Sequence, residues 1–297
     1  MECMHFQPVS KLVLPPGGWQ TLLDFLEARF PSIPRPVWAD RLARGMVAVD
    51  GAIVGGDAPY VAGALLAYRR EVADEPRIPF EETIVYCDQD IVVADKPHFL
   101  PVMPAGRHVE ETLSVRLARR LGNPDLVALH RLDRDTAGLV VFSARPSSRD
   151  AYTRLFRERR IAKVYEAIAA PLPGCVFPLE RATCIERGEP FFRMREAEGQ
   201  ANAFTRIDVL AREADRWLYR LEPVTGRKHQ LRVHMAGLGA PIEGDPYYPV
   251  LREVIEGFDD PLRLLARELR FTDPLSGEAR VFRSERNLQH GARSAST

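Results

Sequence analysis

Long apolar runs are missing from this sequence. The longest, around Tyr60 to Tyr68, is too short to span a bilayer, so no membrane protein is expected. The start, Met-Glu-Cys-Met-His-Phe-Gln-Pro, lacks a basic segment, an apolar run and a small-residue cleavage site. No export signal is expected there, and the cytoplasm is the expected compartment. Cysteine is scarce as well: Cys3, Cys87, Cys175 and Cys184 form no Cys-x-x-Cys pair and have no histidine at ligand spacing. That favours incidental thiols over a zinc site, and His229 and His234 do not form a His-Glu-x-x-His pattern, so no metal is expected. Lysine is nearly absent, at Lys11, Lys96, Lys163 and Lys228 among 41 basic residues, and the net charge is +0. A zero sum still permits a basic groove balanced by acid elsewhere, and clusters such as Arg116/Arg119/Arg120, Arg154 to Lys163 and Arg227/Lys228/Arg232 suit phosphates.

What is present is an ordinary globular composition, 45% hydrophobic and 28% charged over 297 residues, enough for a large domain and a small one. Residues 1–70 read as a small unit: an apolar helical period from Trp19 to Phe30, a second short helix entered through Pro36, and a strand, Asp-Gly turn and strand from Gly45 to Val54. The acidic, proline-bearing stretch 71–79 reads as a linker. Beyond it, strands are expected at Thr83–Cys87, Asp90–Asp95, Gly138–Phe142, Ala162–Ala169, Phe204–Leu210, Trp217–Glu222, Glu268–Phe271 and Ala279–Phe282. Helices are expected at Thr112–Leu121, at Ser147–Arg159 with Ser147 or Ser148 as N-cap, and at His229–Leu238. Many strands without regular βαβ alternation predict an α+β domain over residues 80–284 with a mixed, largely antiparallel central sheet. The polar tail 285–297 is expected to be disordered.

Three stretches carry candidate chemistry. "LHRLDRDTAGLVVFSA" places His130, Arg131, Asp133, Arg134 and Asp135 on a loop feeding an apolar strand, where a side chain is rigidly held. "IAKVYEAIA" puts Lys163 and Tyr165 on one face of a strand. "VTGRKHQLRVHM" sets Arg227 after a Thr-Gly turn and runs into a helix carrying Gln230, Leu231, Arg232 and His234. Taken singly, each also reads as an ordinary polar loop, core tyrosine or surface arginine.

Together these stretches resemble the RluA-type pseudouridine synthases. The matching elements are His130-Arg-Leu-Asp133 with Thr136-Ala-Gly138, Lys163-x-Tyr165, Gly226-Arg-x-His-Gln-Leu-Arg-x-His234 and Gly239-Ala-Pro-Ile-x-Gly-Asp245, with similarity running from about Thr83 to Arg283. The resemblance departs at Ala137, where the family usually has serine, and near Leu265, where it usually has histidine. It implies isomerisation of uridine to its C-glycoside in structured RNA, ribosomal or transfer, without metal, redox cofactor or nucleotide. Asp133 is then the catalytic carboxylate, either adding to C1′ of the ribose or removing the C2′ proton. Arg227 is its expected ion-pair partner, Tyr165 lies against the uracil and takes part in C5 deprotonation, and Leu231 walls the pocket. Arg131 fills the space of the extruded nucleotide, and His130 is structural. "PRPVWADRLARGMVAVDG" resembles a ribosomal-protein-type RNA-binding domain, with departures at Pro34, Pro36, Asp50 and Gly63-Ala64. The alternative is a non-catalytic RNA-binding or RNA-folding protein on the same scaffold, and a monomer is the default in either case.

Overall fold

The computed structural model describes residues 9–72, 75–252 and 257–288. They divide into two compact units, one reaching to Glu75 and including Pro104–Glu110, the other made of Pro76–Met103 and the residues from Glu111 onward.

In the first unit, helix α1 (Leu22–Arg29) starts at a capping box in which Thr21 accepts from the Asp24 amide and Asp24 accepts from the Thr21 amide. Helix α2 (Arg35–Ala43) is entered through Pro36, as expected. The predicted hairpin is strands β2 (Val47–Val49) and β3 (Ala52–Ile53), turning on Asp50 and Gly51, both with positive φ. Two strands were not expected, β1 (Val9–Val13) and β4 (Leu65–Arg69), and they complete a four-stranded sheet in the order β1-β4-β2-β3. Leu22, Phe25, Leu26, Trp38 and Leu66 form its core. At the expected linker, Glu71 is held by Arg41 and Arg44, Glu75 accepts from the Val109 and Glu110 amides, and Ile78 is buried.

The second unit is a mixed, largely antiparallel sheet. Its main path runs β11 (Met194–Ala197), β10 (Leu179–Arg187), β12 (Ala203–Arg212), β13 (Trp217–Pro223), β9 (Ala162–Ala169), β14 (Leu264–Thr272), β8 (Ala137–Ser143), β6 (Ile91–Lys96) and β5 (Thr83–Cys87). Strands β15 (Ala279–Arg283) and β7 (Val127–Ala128) pair with β14 and β8. Every pairing is antiparallel except that of β14 with β8. Strands β6 and β8 are buried along their whole length, which is why β8 reads as a continuous apolar run, and β6, which the sequence suggested as an alternating strand, buries both faces, Asp95 and Lys96 included.

Three helices complete the unit. Helix α3 (Leu113–Leu121) begins after the N-cap Thr112 and ends at left-handed Gly122. Helix α4 (Pro146–Arg157) corrects the expected start: Arg145 is the cap and Pro146 opens the helix, while Ser148 is buried one turn in. Helix α5 (Gln230–Gly237) is short and has no exposed face from Gln230 to Met235. No described helix is long and apolar enough to cross a membrane.

The tail is packed further than expected. Arg286 bonds the Asp95 carboxylate and carbonyl, and Leu288 is buried against Ala137, Ile168 and Leu265. The remainder of that tail, 289–297, lies outside the described residues.

Candidate active site

Asp133 stands on the loop between β7 and β8, and the loop is tied down from below. Lys96, at the end of β6 and fully buried, donates to the carbonyls of Pro97, Leu100 and Arg134. Burial pushes its ammonium down to about 7, against the pull of Asp135 and Asp133. The Thr136 amide closes a turn onto the Asp133 carbonyl, and His98 Nδ1 hydrogen-bonds the Asp135 carbonyl. His130 is structural in its contacts: its Nε2 accepts from the Val141 amide and its ring stacks on Phe156 at 4.6 Å. Burial, then the charge of Lys163, pushes its imidazole down to about 3, so it is neutral in the fold.

The ion-pair partner expected for Asp133 is corrected by the structure. Arg227 is exposed, and its Nε donates to the Asn202 carbonyl at 3.2 Å. Arg232, five residues on, donates from Nη1 to Asp133 Oδ2 at 3.3 Å. Its other nitrogens grip Asp245 in a two-point pair, Nε to Oδ2 at 2.8 Å and Nη2 to Oδ1 at 2.7 Å. The guanidinium lies over the Tyr247 ring at 4.8 Å and is 1% exposed. Desolvation is the largest single effect and opposes its charge, but the bond to Asp245 and the charges of Asp245, Asp133 and Asp135 together outweigh it and raise the Arg232 pKa. An arginine held by one carboxylate and aimed at another fixes the second in direction.

The motif around Arg232 is a scaffold for this contact. Gln230 Oε1 accepts from the Thr225 hydroxyl and the Arg227 amide, and its Nε2 donates to the Phe204 carbonyl and Thr205 hydroxyl. His234 sits between the hydroxyls of Thr205 and Thr183. His229, in a left-handed conformation at the helix start, shares a hydrogen bond with the Tyr248 hydroxyl and brings Nε2 within 3.8 Å of Asp133. Burial pushes it down to about 4 although Asp133 pulls the other way, so this neighbour is a neutral imidazole.

A cavity of about 540 Å³ opens over Asp133, whose side chain is 21% exposed. All the sequence-predicted residues line it: Arg131, Asp133, Tyr165, Arg227 and Leu231. Tyr165 packs with Leu231 against the core of the sheet. Burial and the charge of Asp133 raise the Tyr165 phenol far above neutrality, so the ring is a packing surface and a proton donor rather than a resting base. Arg157, Arg159, Lys163, Arg227 and Lys228 give the cavity a basic lining. Arg116, by contrast, is no phosphate ligand: it is bound to Glu111, Glu82 and the carbonyls of Phe80 and Ile78. Sequence reasoning gave no role in the site to Lys96, His229 or Asp245, and it grouped Arg232 with phosphate-binding cations, whereas Arg232 is buried between Asp245 and Asp133.

Comparison with known proteins matches the same stretch. The family described as RNA pseudouridylate synthase matches residues 90–237. An RNA pseudouridine synthase of Synechocystis sp. is 33% identical over 235 residues, 76% of this chain and 79% of that protein. The dual-specificity RNA pseudouridine synthase RluA of Vibrio cholerae is 36% identical over 213 residues, 68% of this chain and 81% of that one. This chain belongs to the RluA-type pseudouridine synthase family. The solved structure of human RNA pseudouridylate synthase domain containing 4 superposes with a TM-score of 0.53 at 28% identity, covering 69% of this chain and 88% of that one. The synthases of this family are isomerases, and strands β6 to β13, the loop bearing Asp133 and helix α5 lie in the matched residues.

Proposed function

We propose that this chain isomerises uridine to pseudouridine in structured RNA, ribosomal or transfer, with Asp133 as the catalytic carboxylate. One observation carries the reading: a partly open carboxylate on the wall of a nucleoside-sized cavity is oriented by a buried arginine that a second carboxylate holds. The reaction breaks the bond from uracil N1 to ribose C1′, turns the base, joins C5 to C1′, removes the C5 proton and leaves N1 protonated, so no atom is gained or lost overall. Asp133 assists by adding to C1′ or by taking the C2′ proton and returning it. In both routes it is a free carboxylate again once the new bond has formed, and it is then the acceptor available for the C5 proton. Tyr165 and Leu231 support the base while it turns, with the protonated phenol directing a hydrogen bond to it. Arg131, exposed on the rim, fills the stack that the flipped nucleotide leaves. Arg157, Arg159, Lys163 and Lys228 take the phosphates on either side. No metal or redox group enters this scheme. The first unit adds RNA-holding surface, a reading that rests on its resemblance to ribosomal-protein-type domains.

The test is chemical mapping of pseudouridine in total RNA from cells with and without the gene, repeated with Asp133→Asn restored. Loss of a defined site, rescued by the wild-type chain and not by the variant, is the expected outcome. Rescue by Asp133→Asn would remove Asp133 from the reaction.

A further inference from the structure

One feature beside the cavity is unused by this chemistry. The turn between β10 and β11 carries Phe191, whose side chain is 74% exposed. An exposed aromatic ring leaves most of its apolar surface in water and forgoes the free energy of burial, yet this one sits on a turn fixed at many points. Phe191 meets Phe192 edge-on at 5.6 Å, and Phe192 packs on Tyr247 at 5.4 Å. Lys228 Nζ donates to the Phe192 carbonyl at 2.7 Å, Arg193 donates to the Pro249 carbonyl at 2.9 Å, and the Met194 amide donates to the Tyr248 hydroxyl at 2.7 Å. The two tyrosines flank Arg232, so the rings form a continuous path from solvent to the arginine that holds Asp133. Two cations border this turn: Lys228, exposed and bonded to the Phe192 carbonyl, and Arg187, exposed at the end of β10 opposite Met194.

We propose that Phe191 is a stacking platform for an unpaired nucleobase next to the target uridine, with Lys228 and Arg187 at the phosphates that join the two. A rigid exposed ring bordered by cations matches the way single-stranded RNA is held, because every base has a face to stack and every linkage carries a negative charge. The proposal rests on the RNA reading above and adds a second contact to it, one that selects strands with a splayed base beside the uridine.

The probe is an oligouridylate carrying a single 2-aminopurine, whose fluorescence falls on stacking. Wild-type protein and Asp133→Asn should both bind and quench it. Phe191→Ala and Phe191→Leu should lose the quenching and bind about 5- to 150-fold more weakly, the range for one base-aromatic stack. Phe191→Tyr should restore both. Leucine keeps apolar area without a ring face, so wild-type quenching by Phe191→Leu or Phe191→Ala would overturn the proposal and leave the ring to a protein contact. On an RNA that the wild-type chain modifies, the alanine variant should raise KM by a larger factor than it lowers kcat. If the wild-type chain forms no pseudouridine while quenching still depends on Phe191, the platform stands and the enzymatic reading falls.

Discussion

At the scale of residues, the two arginines of one motif divide the work that the sequence assigned to one. Arg227 and Arg232 are five apart, and both lie in a stretch that resembles the family. Arg227 is on the turn before α5 and points its Nε at a backbone carbonyl, whereas Arg232 is inside the helix and reaches Asp133. The signal that could have separated them is Asp245: a carboxylate in a run bound for the interior needs a cation, and the cation must be buried too. That burial depends on α5 lacking an exposed face, which its sequence alone does not announce. Arg232→Lys keeps the charge and loses the two-point grip on Asp245, so kcat/KM should fall about a hundredfold or more. Arg227→Lys keeps a cation on an exposed rim and should cost less than tenfold. Single-turnover rates of the two variants on one RNA check the ranking, and the reverse order would return Arg227 to Asp133.

At the scale of elements, legibility followed the apolar pattern. Strands β8, β9 and β13 were visible because their apolar residues repeat at strand spacing or run unbroken. Strands β10 and β11 were not, because they form one edge of the sheet, where charged residues such as Glu180, Arg181, Glu186 and Arg187 mask the alternation. The two departures from the family pattern also belong to one element pair. Ala137 and Leu265 are direct partners where β8 meets β14, and both are buried with Ile168 and Leu288. An apolar residue at one position would leave a polar residue at the other buried without that partner, and here both are apolar. Next to that pair, Gly138 faces Ala266 at φ +110, and a Cβ there would lie 2.3 Å from the Ala266 carbonyl oxygen. No flexible side chain is available to yield. Gly138→Ala should therefore destabilise the protein by about 3 kcal/mol or more, combining backbone strain with separation of the parallel strands. Urea unfolding measures it, and a change below about 1 kcal/mol would mean that β8 and β14 part readily.

At the scale of the whole molecule, the loop, the helix and the strand around Asp133 are pinned by neutral imidazoles, and this fixes how the fold responds to acid. His98, His229 and His234 are each pushed down to about 4 and His130 to about 3, burial being the largest cause in all of them. Each makes hydrogen bonds, to the Asp135 carbonyl, the Tyr248 hydroxyl, the Thr205 and Thr183 hydroxyls, and the Val141 amide respectively. In the unfolded chain such groups titrate near 6.5. The unfolded state therefore takes up protons that the folded state refuses, and stability is fully present above about pH 6.5 and lost as pH falls toward 4. The slope is about 1.4 kcal/mol per pH unit for each histidine fully protonated on unfolding. Between pH 6.5 and 5 most carboxylates have not begun to titrate, so this window isolates the imidazoles. The urea midpoint should drop steeply across it. His234→Gln, which keeps a hydrogen-bonding side chain between the two threonines, should lower stability at pH 7 but flatten the slope by one histidine's share. A midpoint constant from pH 7 to 5 would mean that these imidazoles accept protons within the fold, and that the frame around Asp133 tolerates their charge.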